Sequence, residues 1–343
     1  MKLSFMPREM RVSLRFPNSI PKMRILIVSP GGTIKPDAIR TGNRSTASQW
    51  GDRLSELGHD VRIAGDYDHG ATDLLIALHG DRSFSAMADY RAHQPAGKLV
   101  LGLAGTDIYP KPGENTLAAM ALADAIIALQ PKAIEQIPAP LRSMATVIVQ
   151  SATPSTVPSL QSSDFFDVCV IGHLRKVKDP MLTATAARLL PQDSKIRVLQ
   201  AGGILDQQYE SLVSREEQEN PRYHWLDELP PEKTSQLIAS SQLLCLTSLS
   251  EGGARVIGEA IVEKTPVIST RIDGSIGLLG ENYPGYFPVG DAKALAELLW
   301  QCESDLDFFE QLTLSARSLA PEFSCELERA AFADLIAELF ETR

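Results

Sequence analysis

The run Ser248-Leu-Ser-Glu251-Gly252-Gly253-Ala-Arg-Val-Ile-Gly-Glu259-Ala260 gathers the groups that a sugar phosphate needs. A glycine pair lets the backbone approach a ligand closely. The free amides of a following helix, with its dipole, favour a phosphate. Carboxylates accept paired hydrogen bonds from vicinal hydroxyls, as sugar and ribose rings present them. The pattern places Glu251 just ahead of a helix and Glu259 about two turns inside it. E-x7-E alone is weak evidence in an acid-rich chain. Its weight comes from the apolar run QLLCLTS before it and the run PVIST after it. Asp273 and Ser275 follow PVIST at the next helix start, where they can cap that helix or reach the same ligand.

A second cluster, Gly172-His173-Leu-Arg175-Lys176-Val-Lys178-Asp-Pro180, follows the apolar run FDVCVIG. Three cations between a strand and a helix make a diphosphate clamp, with arginine suited to bidentate contact. The plainer alternative is a solvated charge run. In the first half, Gly31, Gly32 and Thr33 lie just past the run MRILIVS, and Asn43 and Arg44 open the next helical pattern. Such a loop holds the oxygens of a small phosphate-like anion or is an ordinary turn. His79 ends the run DLLIALH with Arg82 after it, and Thr106 and Asp107 follow KLVLGLA. A strand-end histidine is either structural or a group facing a cleft.

These residues need strands and helices to hold them. From Met23, short β-branched runs (RILIVS, VRIA, DLLIALH, KLVLGLA, AIIALQ, TVIVQS) alternate with helical patterns at 46–57, 83–92 and 115–123. Runs apolar on both faces between helices predict a parallel sheet covered on both sides. The Ser/Thr/Pro-rich stretch 151–164 reads as a linker. Beyond it the alternation restarts with FDVCVIG, IRVLQAG, RYHWL, QLLCLTS and PVIST, separated by helical patterns at 179–190, 206–218, 231–240 and 253–263. Helices near 291–302 and 305–318 and an amphipathic segment at 325–340 complete the chain. The expected organisation is an α/β domain at 23–150, a linker at 151–164, a second α/β domain at 165–320 and a C-terminal helical segment, 321–343, returning to the first domain. Ligands in such sheets bind beyond the strand carboxyl ends, so two facing domains make a cleft.

Length and composition agree: 343 residues correspond to about two domains. A net charge of -10 excludes a general nucleic-acid binder. Residues 1–22 carry Lys2, Arg8, Arg11, Arg15 and Lys22 against Glu9 alone, with no apolar core of a secretory signal. They read as a disordered extension. The four cysteines form no CxxC pair, and the longest apolar runs are too short to cross a membrane, which points to the cytoplasm. Asp66-Tyr67-Asp68 has the D-x-D form of a metal motif but reads as a turn, since the Arg175–Lys178 cations make a metal unnecessary. The first turn, PGGTIKPDAIRTGN, lacks the G-x-G-x-x-G of a dinucleotide dehydrogenase, and HExxH, G-x-S-x-G and Walker A motifs are absent.

The two clusters together resemble those of family-4 glycosyltransferases of GT-B fold, retaining enzymes built from two Rossmann-like, doubly wound domains facing a cleft. In that family a Gly-Arg…Lys pair neutralises the donor diphosphate; Lys178 matches the lysine, and His173 stands where arginine is usual, with Arg175 close by. Glu251 and Glu259 match the pair that contacts donor sugar and ribose, and a first-domain histidine near His79 approaches the donor sugar. Ser29-Pro-Gly-Gly-Thr33 with Thr41-Gly-Asn-Arg-Ser45, Ala77-Leu-His79, Ala104-Gly-Thr-Asp107, Leu129-Gln-Pro131, Gln150-Ser151, the 172–180 loop and Arg271–Gly280 narrow the match. They resemble the selenosugar synthases of selenoneine biosynthesis, in which histidine at 173 is a subfamily trait. The resemblance implies a UDP-sugar donor, typically UDP-N-acetylglucosamine, and selenophosphate as acceptor. It implies Glu251, His79, Arg175 and Lys178 as catalytic and Glu259, Gly252, Gly253, His173, Asp273 and Ser275 as donor-binding. It puts the acceptor on Gly31, Gly32, Thr33, Asn43, Arg44, Arg82, Thr106 and Asp107, with no metal cofactor. A family-4 transferase with a hydroxyl acceptor and a non-catalytic nucleotide-sugar-binding protein remain as alternatives. The sequence leaves the anomeric outcome and the oligomeric state open.

Overall fold

The computed structural model of the protein describes residues 21–30, 42–156 and 160–341. The expected extension at 1–22 falls almost wholly outside them, as do Gly31, Gly32 and Thr33.

Six strands make the first sheet: β1 (Arg24–Val28), β2 (Asp60–Ala64), β3 (Leu74–Leu78), β4 (Lys98–Gly102), β5 (Ala125–Ala128) and β6 (Ala145–Val147). Six more make the second: β7 (Phe166–Ile171), β8 (Ile196–Ala201), β9 (Tyr223–Trp225), β10 (Leu243–Leu246), β11 (Val267–Thr270) and β12 (Tyr286–Phe287). The orders are β2-β1-β3-β4-β5-β6 and β12-β11-β10-β7-β8-β9, and the pairings are parallel throughout. Apolar runs with both faces covered make such sheets: every residue of β3, β5, β10 and β11 is buried. Strand order reverses between β1 and β3 in the first sheet and between β7 and β10 in the second. These switch points are where α/β sheets open a crevice at their carboxyl ends.

The first domain carries α1 (Gly42–Glu56), α2 (Gly80–His93) and α3 (Glu114–Leu122). The second carries α4 (Leu182–Ala187), α5 (Gln208–Glu219), α6 (Pro231–Ser240), α7 (Arg255–Val262), α8 (Asp273–Leu279), α9 (Ala292–Ser304) and α10 (Leu306–Ser318), and α11 (Cys325–Phe340) ends the described chain. The last three start on side-chain caps: Asp291 accepts from Lys293 and Ala294, Asp305 from Phe308, and Ser324 from Leu327. One core fills the second domain. The first sheet has a core on each face. One of these is completed by α11, whose Phe332, Leu335 and Ile336 pack with Trp50 of α1 and Ile25 and Ile27 of β1. The Trp50 and Phe332 rings meet edge-on at 5.4 Å.

Two elements depart from the sequence expectation. Strand β12 is only two residues long and carries no apolar run, so periodicity does not reveal it. Helix α4 is six residues rather than twelve, because Lys176–Lys178 form a tight single turn and Asp179 turns left-handed (φ 43°) before it. None of the four cysteines is in a disulfide. Burial raises the Cys169, Cys245 and Cys302 thiols to about 12, so these three pack as small hydrophobes. Among the described residues, no helix is long and apolar enough to cross a membrane.

Candidate active site

The loops after β7 and β10 leave adjacent strands at the second switch point. Two hydrogen bonds tie them together: Leu249 N–H donates to Val177 O at 2.8 Å, and Thr247 Oγ1 donates to Lys178 O at 2.8 Å. The lysine is thereby delivered to the acid. Lys178 Nζ donates to Glu251 Oε1 in a short ion pair, and Ser248 Oγ donates to the same oxygen at 2.6 Å. The pair is largely buried, with side chains 21% and 13% exposed. A single charge so placed is costly, and each ion stabilises the other.

Gly252 and Gly253 follow just ahead of α7, whose N-cap residue, Ala254, makes no side-chain cap hydrogen bond among the described residues. Unclaimed helix-start amides are what an anion seeks. Glu259 stands one turn into α7, and Arg255 Nη2 donates to its Oε1 at 3.3 Å. His173 Nδ1 accepts from Gly203 N–H at 3.1 Å, which assigns the ring proton to Nε2 when the side chain is neutral.

The first domain faces this cluster at contact distance. A Cβ on Gly252 would lie 2.4 Å from Ala104 O, and one on Gly105 would lie 2.4 Å from Gly252 N. The loop after β4 and the loop after β10 therefore touch through glycine backbone, which only residues without a Cβ permit. A cleft of about 720 Å³ lies between the domains. Glu251, Gly252, Gly253, Glu259, Lys178, Arg175 and His173 line it from the second domain, and Asn43, Arg82 and Thr106 from the first.

Several predicted residues stand elsewhere. His79 is buried, with φ 71°, and is not in the cleft wall. Its Nδ1 accepts from Arg82 N–H at 3.4 Å, capping α2, and its Nε2 lies 3.0 Å from Thr106 Oγ1. Burial lowers its pKa, so it is neutral at pH 7 with its proton on Nε2, donating to Thr106. Asp107 is also buried; it accepts from the Gly80, Ala104 and Gly105 amides and so fixes the loop that meets Gly252. Ser275 is fully buried against Ser269, Oγ to Oγ 2.7 Å, and neither it nor Asp273, the first residue of α8, lines the cleft. The position of these four beyond strand carboxyl ends signals a site in sequence, but the side chains of His79, Asp107 and Ser275 are spent on a cap, a loop staple and the core. Arg44 is half-buried on α1 and is not in the wall either.

Arg255 and Gln49 are among the wall residues that received no role from the sequence. Arg255 lies inside the E-x7-E motif itself, and the i, i+4 spacing to Glu259 is the signal that identifies their pairing. Gln49 reaches across to Ser151 and Glu328, and nothing in the local pattern announces that. The D-x-D acids serve a turn: Asp68 pairs with Arg62 and accepts from Gly70 N–H, and Asp66 accepts from Tyr67 N–H.

Residues 157–318 match the family model for glycosyl transferases group 1. The second domain is a group 1 glycosyl transferase domain. It contains Lys178, Glu251 and Glu259, and the chain is by that domain a glycosyltransferase. The two-domain arrangement is similar to that of Anabaena HepE, solved with UDP and glucose, at a TM-score of 0.73 and 20% identity over 92% of this chain and 100% of that one. It is similar to sucrose-phosphate synthase of Thermosynechococcus elongatus at 0.73 and 18%, over 93% and 99%. A glycosyltransferase from Rickettsia africae gives 0.71 and 14%, over 94% and 100%. At such identities the likeness establishes the fold, and that fold is GT-B. No curated protein sequence matches the chain.

Proposed function

We propose that this glycosyltransferase takes a UDP-sugar, N-acetylglucosamine in the favoured case, and joins its anomeric carbon to the selenium of selenophosphate. The observation that carries the donor half is the Lys178–Glu251–Ser248 cluster set beside the Gly252 and Gly253 amides in a group 1 domain. The solved complex of HepE with UDP and glucose supports UDP as the leaving group. The acceptor half rests on the segments that resemble selenosugar synthases. A first-domain wall with Arg82, Asn43 and Thr106, suited to a small anion, supports it.

In this reading Glu259 holds the ribose, and Arg175, Lys178 and the glycine amides hold the diphosphate. These groups meet the negative charge that grows on departing UDP, the task a divalent metal performs in other transferases. Lys178 exchanges its Glu251 partner for the diphosphate, which leaves the Glu251 carboxylate to orient the sugar hydroxyls. Selenium attacks the anomeric carbon as the bond to the diphosphate oxygen breaks, and UDP leaves with that electron pair. Water then cleaves the selenium–phosphorus bond and gives the 1-seleno-sugar and phosphate, with no net oxidation or reduction. Anionic, polarisable selenium needs no strong general base, which suits a site whose His79 is held behind the wall.

The test is direct. The protein is mixed anaerobically with UDP-N-acetylglucosamine and selenophosphate, and the products are read by mass spectrometry. A selenium-containing sugar, formed in step with UDP, is expected. UDP release only with a hydroxyl acceptor would overturn the acceptor assignment. Donor binding that survives Glu251→Ala, without turnover on any acceptor, would overturn catalysis itself.

A further inference from the structure

We propose a second site, away from the cleft: His69, Asp89 and His93 bind one divalent transition-metal ion of the zinc, cobalt and nickel class. The candidate ligand atoms of these three side chains all lie within 4.8 Å of one another. His69 Nε2 is 3.2 Å from Asp89 Oδ2, and the two imidazole rings are 4.4 Å apart between centroids. Zinc-class ions bind imidazole and carboxylate at about 2.0–2.2 Å, so two ligands of one ion stand at most about 4.2 Å apart. Small side-chain rotations bring the set within that limit. Two imidazoles and one carboxylate select a transition metal over magnesium or calcium, which prefer oxygen ligands alone.

The surroundings hold the ligands in place. Asp89 and His93 are four residues apart on α2 and therefore share one face of its last turns. That end of α2 lies roughly 13–20 Å along the helix from its first turn beside the cleft. His69 comes from the β2–β3 connection, held in the left-handed region at φ 56°, a conformation uncommon for a residue with a side chain. Its turn is locked from both sides. Asp68 pairs with Arg62 and accepts from Gly70 N–H, while Thr72 Oγ1 donates to Gly70 O at 3.0 Å. Buried Tyr67 packs against both histidine rings, at 5.0 and 6.4 Å, and its hydroxyl accepts from Gln94 Nε2 at 2.8 Å. A rigid aromatic wall behind two histidines and a strained backbone at one of them is the pre-organisation a metal site requires. Three protein ligands on an exposed surface leave at least one coordination position to water. The ion would clip the β2–β3 connection to α2 without entering the transfer reaction.

The experiment uses the full chain, made without a polyhistidine tag and stripped with a chelator. Cobalt(II) is added and followed by its visible d–d absorption, and zinc(II) is titrated by calorimetry. One equivalent is expected for the unaltered protein, with affinity at least tenfold weaker in His69→Ala and in His93→Ala and lost in the double variant. The melting temperature should rise with zinc most in the unaltered protein and not at all in the double variant. All three side chains are exposed, so the variants should fold, which circular dichroism checks. Equal binding by the variants, no stoichiometric binding by the parent, or the intense charge-transfer band of a cobalt–thiolate bond at Cys325 would each overturn the site.

Discussion

In the proposed function Glu251 does two jobs with one carboxylate: it neutralises Lys178 and, on donor binding, becomes the acceptor for sugar hydroxyls. Glu251→Gln keeps the shape and an acceptor oxygen but removes the charge that pairs with the lysine, so turnover should fall about 100- to 1000-fold, the scale of losing one oriented electrostatic partner. Lys178→Ala should lower turnover by a similar factor and also weaken UDP, because in the proposed reaction its charge acts on the diphosphate in both ground and transition states. Glu259→Ala should act on binding instead, raising KM for the donor about tenfold with kcat nearly unchanged, the pattern of a uniform contact. Steady-state kinetics with a UDP-sugar separates the three; a Glu259→Ala variant that loses kcat and keeps KM would contradict the ribose role. The sequence placed Lys178, Glu251 and the glycine pair just past strand ends, and the structure brings them together in the cleft wall. It placed His79, Asp107 and Ser275 just past strand ends as well, and there the side chains turn to internal partners. Position says that a residue can face the cleft, while a neighbouring amide or hydroxyl decides whether its side chain does.

At the scale of elements, the site depends on the loop after β4 meeting the loop after β10 without side chains between them. Gly105 also has φ 121°, a backbone conformation that L side chains rarely adopt. Gly105→Ala should therefore push the Ala104–Thr106 loop away from Gly252 while leaving both sheets folded. A shift of about 1 Å at a reacting centre costs about a hundredfold in rate. The expected outcome is a large loss of transfer with a far-ultraviolet circular dichroism spectrum like that of the parent. Unchanged turnover in the variant would mean that the loops separate during the reaction. The elements themselves were largely legible, since eleven of the twelve described strands overlap the runs expected from sequence. The exception, β12, has only Tyr286 and Phe287 at a sheet edge, where pairing with β11 creates a strand that its own sequence does not. The contact between the two glycine loops is equally invisible in the sequence, because it joins residues about 150 positions apart through backbone atoms alone.

At the scale of the molecule, α11 follows the second domain in sequence but closes a core of the first. Phe332→Ala should cost about 3–5 kcal/mol there, since its ring is fully buried against Trp50. The same helix carries Glu328, buried where α1, α11 and residue 151 meet. One of its oxygens, Oε2, accepts from Ser151 Oγ at 2.5 Å and from Gln49 Nε2 at 2.8 Å and lies 3.5 Å from Arg53 Nε. The other, Oε1, has no hydrogen-bond partner among the described residues. Burial outweighs these partners and raises the Glu328 pKa above its ordinary value. A folded state that keeps a proton the unfolded chain has released loses stability as pH rises from the unfolded pKa, near 4.5, through the folded one. Glu328→Gln removes this ionisation and keeps a hydrogen-bond acceptor. The melting temperature of Glu328→Gln relative to the parent should therefore climb as pH is raised from about 4 to 7, whatever its offset at the acid end. A difference that stays flat or falls across that range would mean that Arg53 and the two donors, rather than burial, govern the acid at this junction.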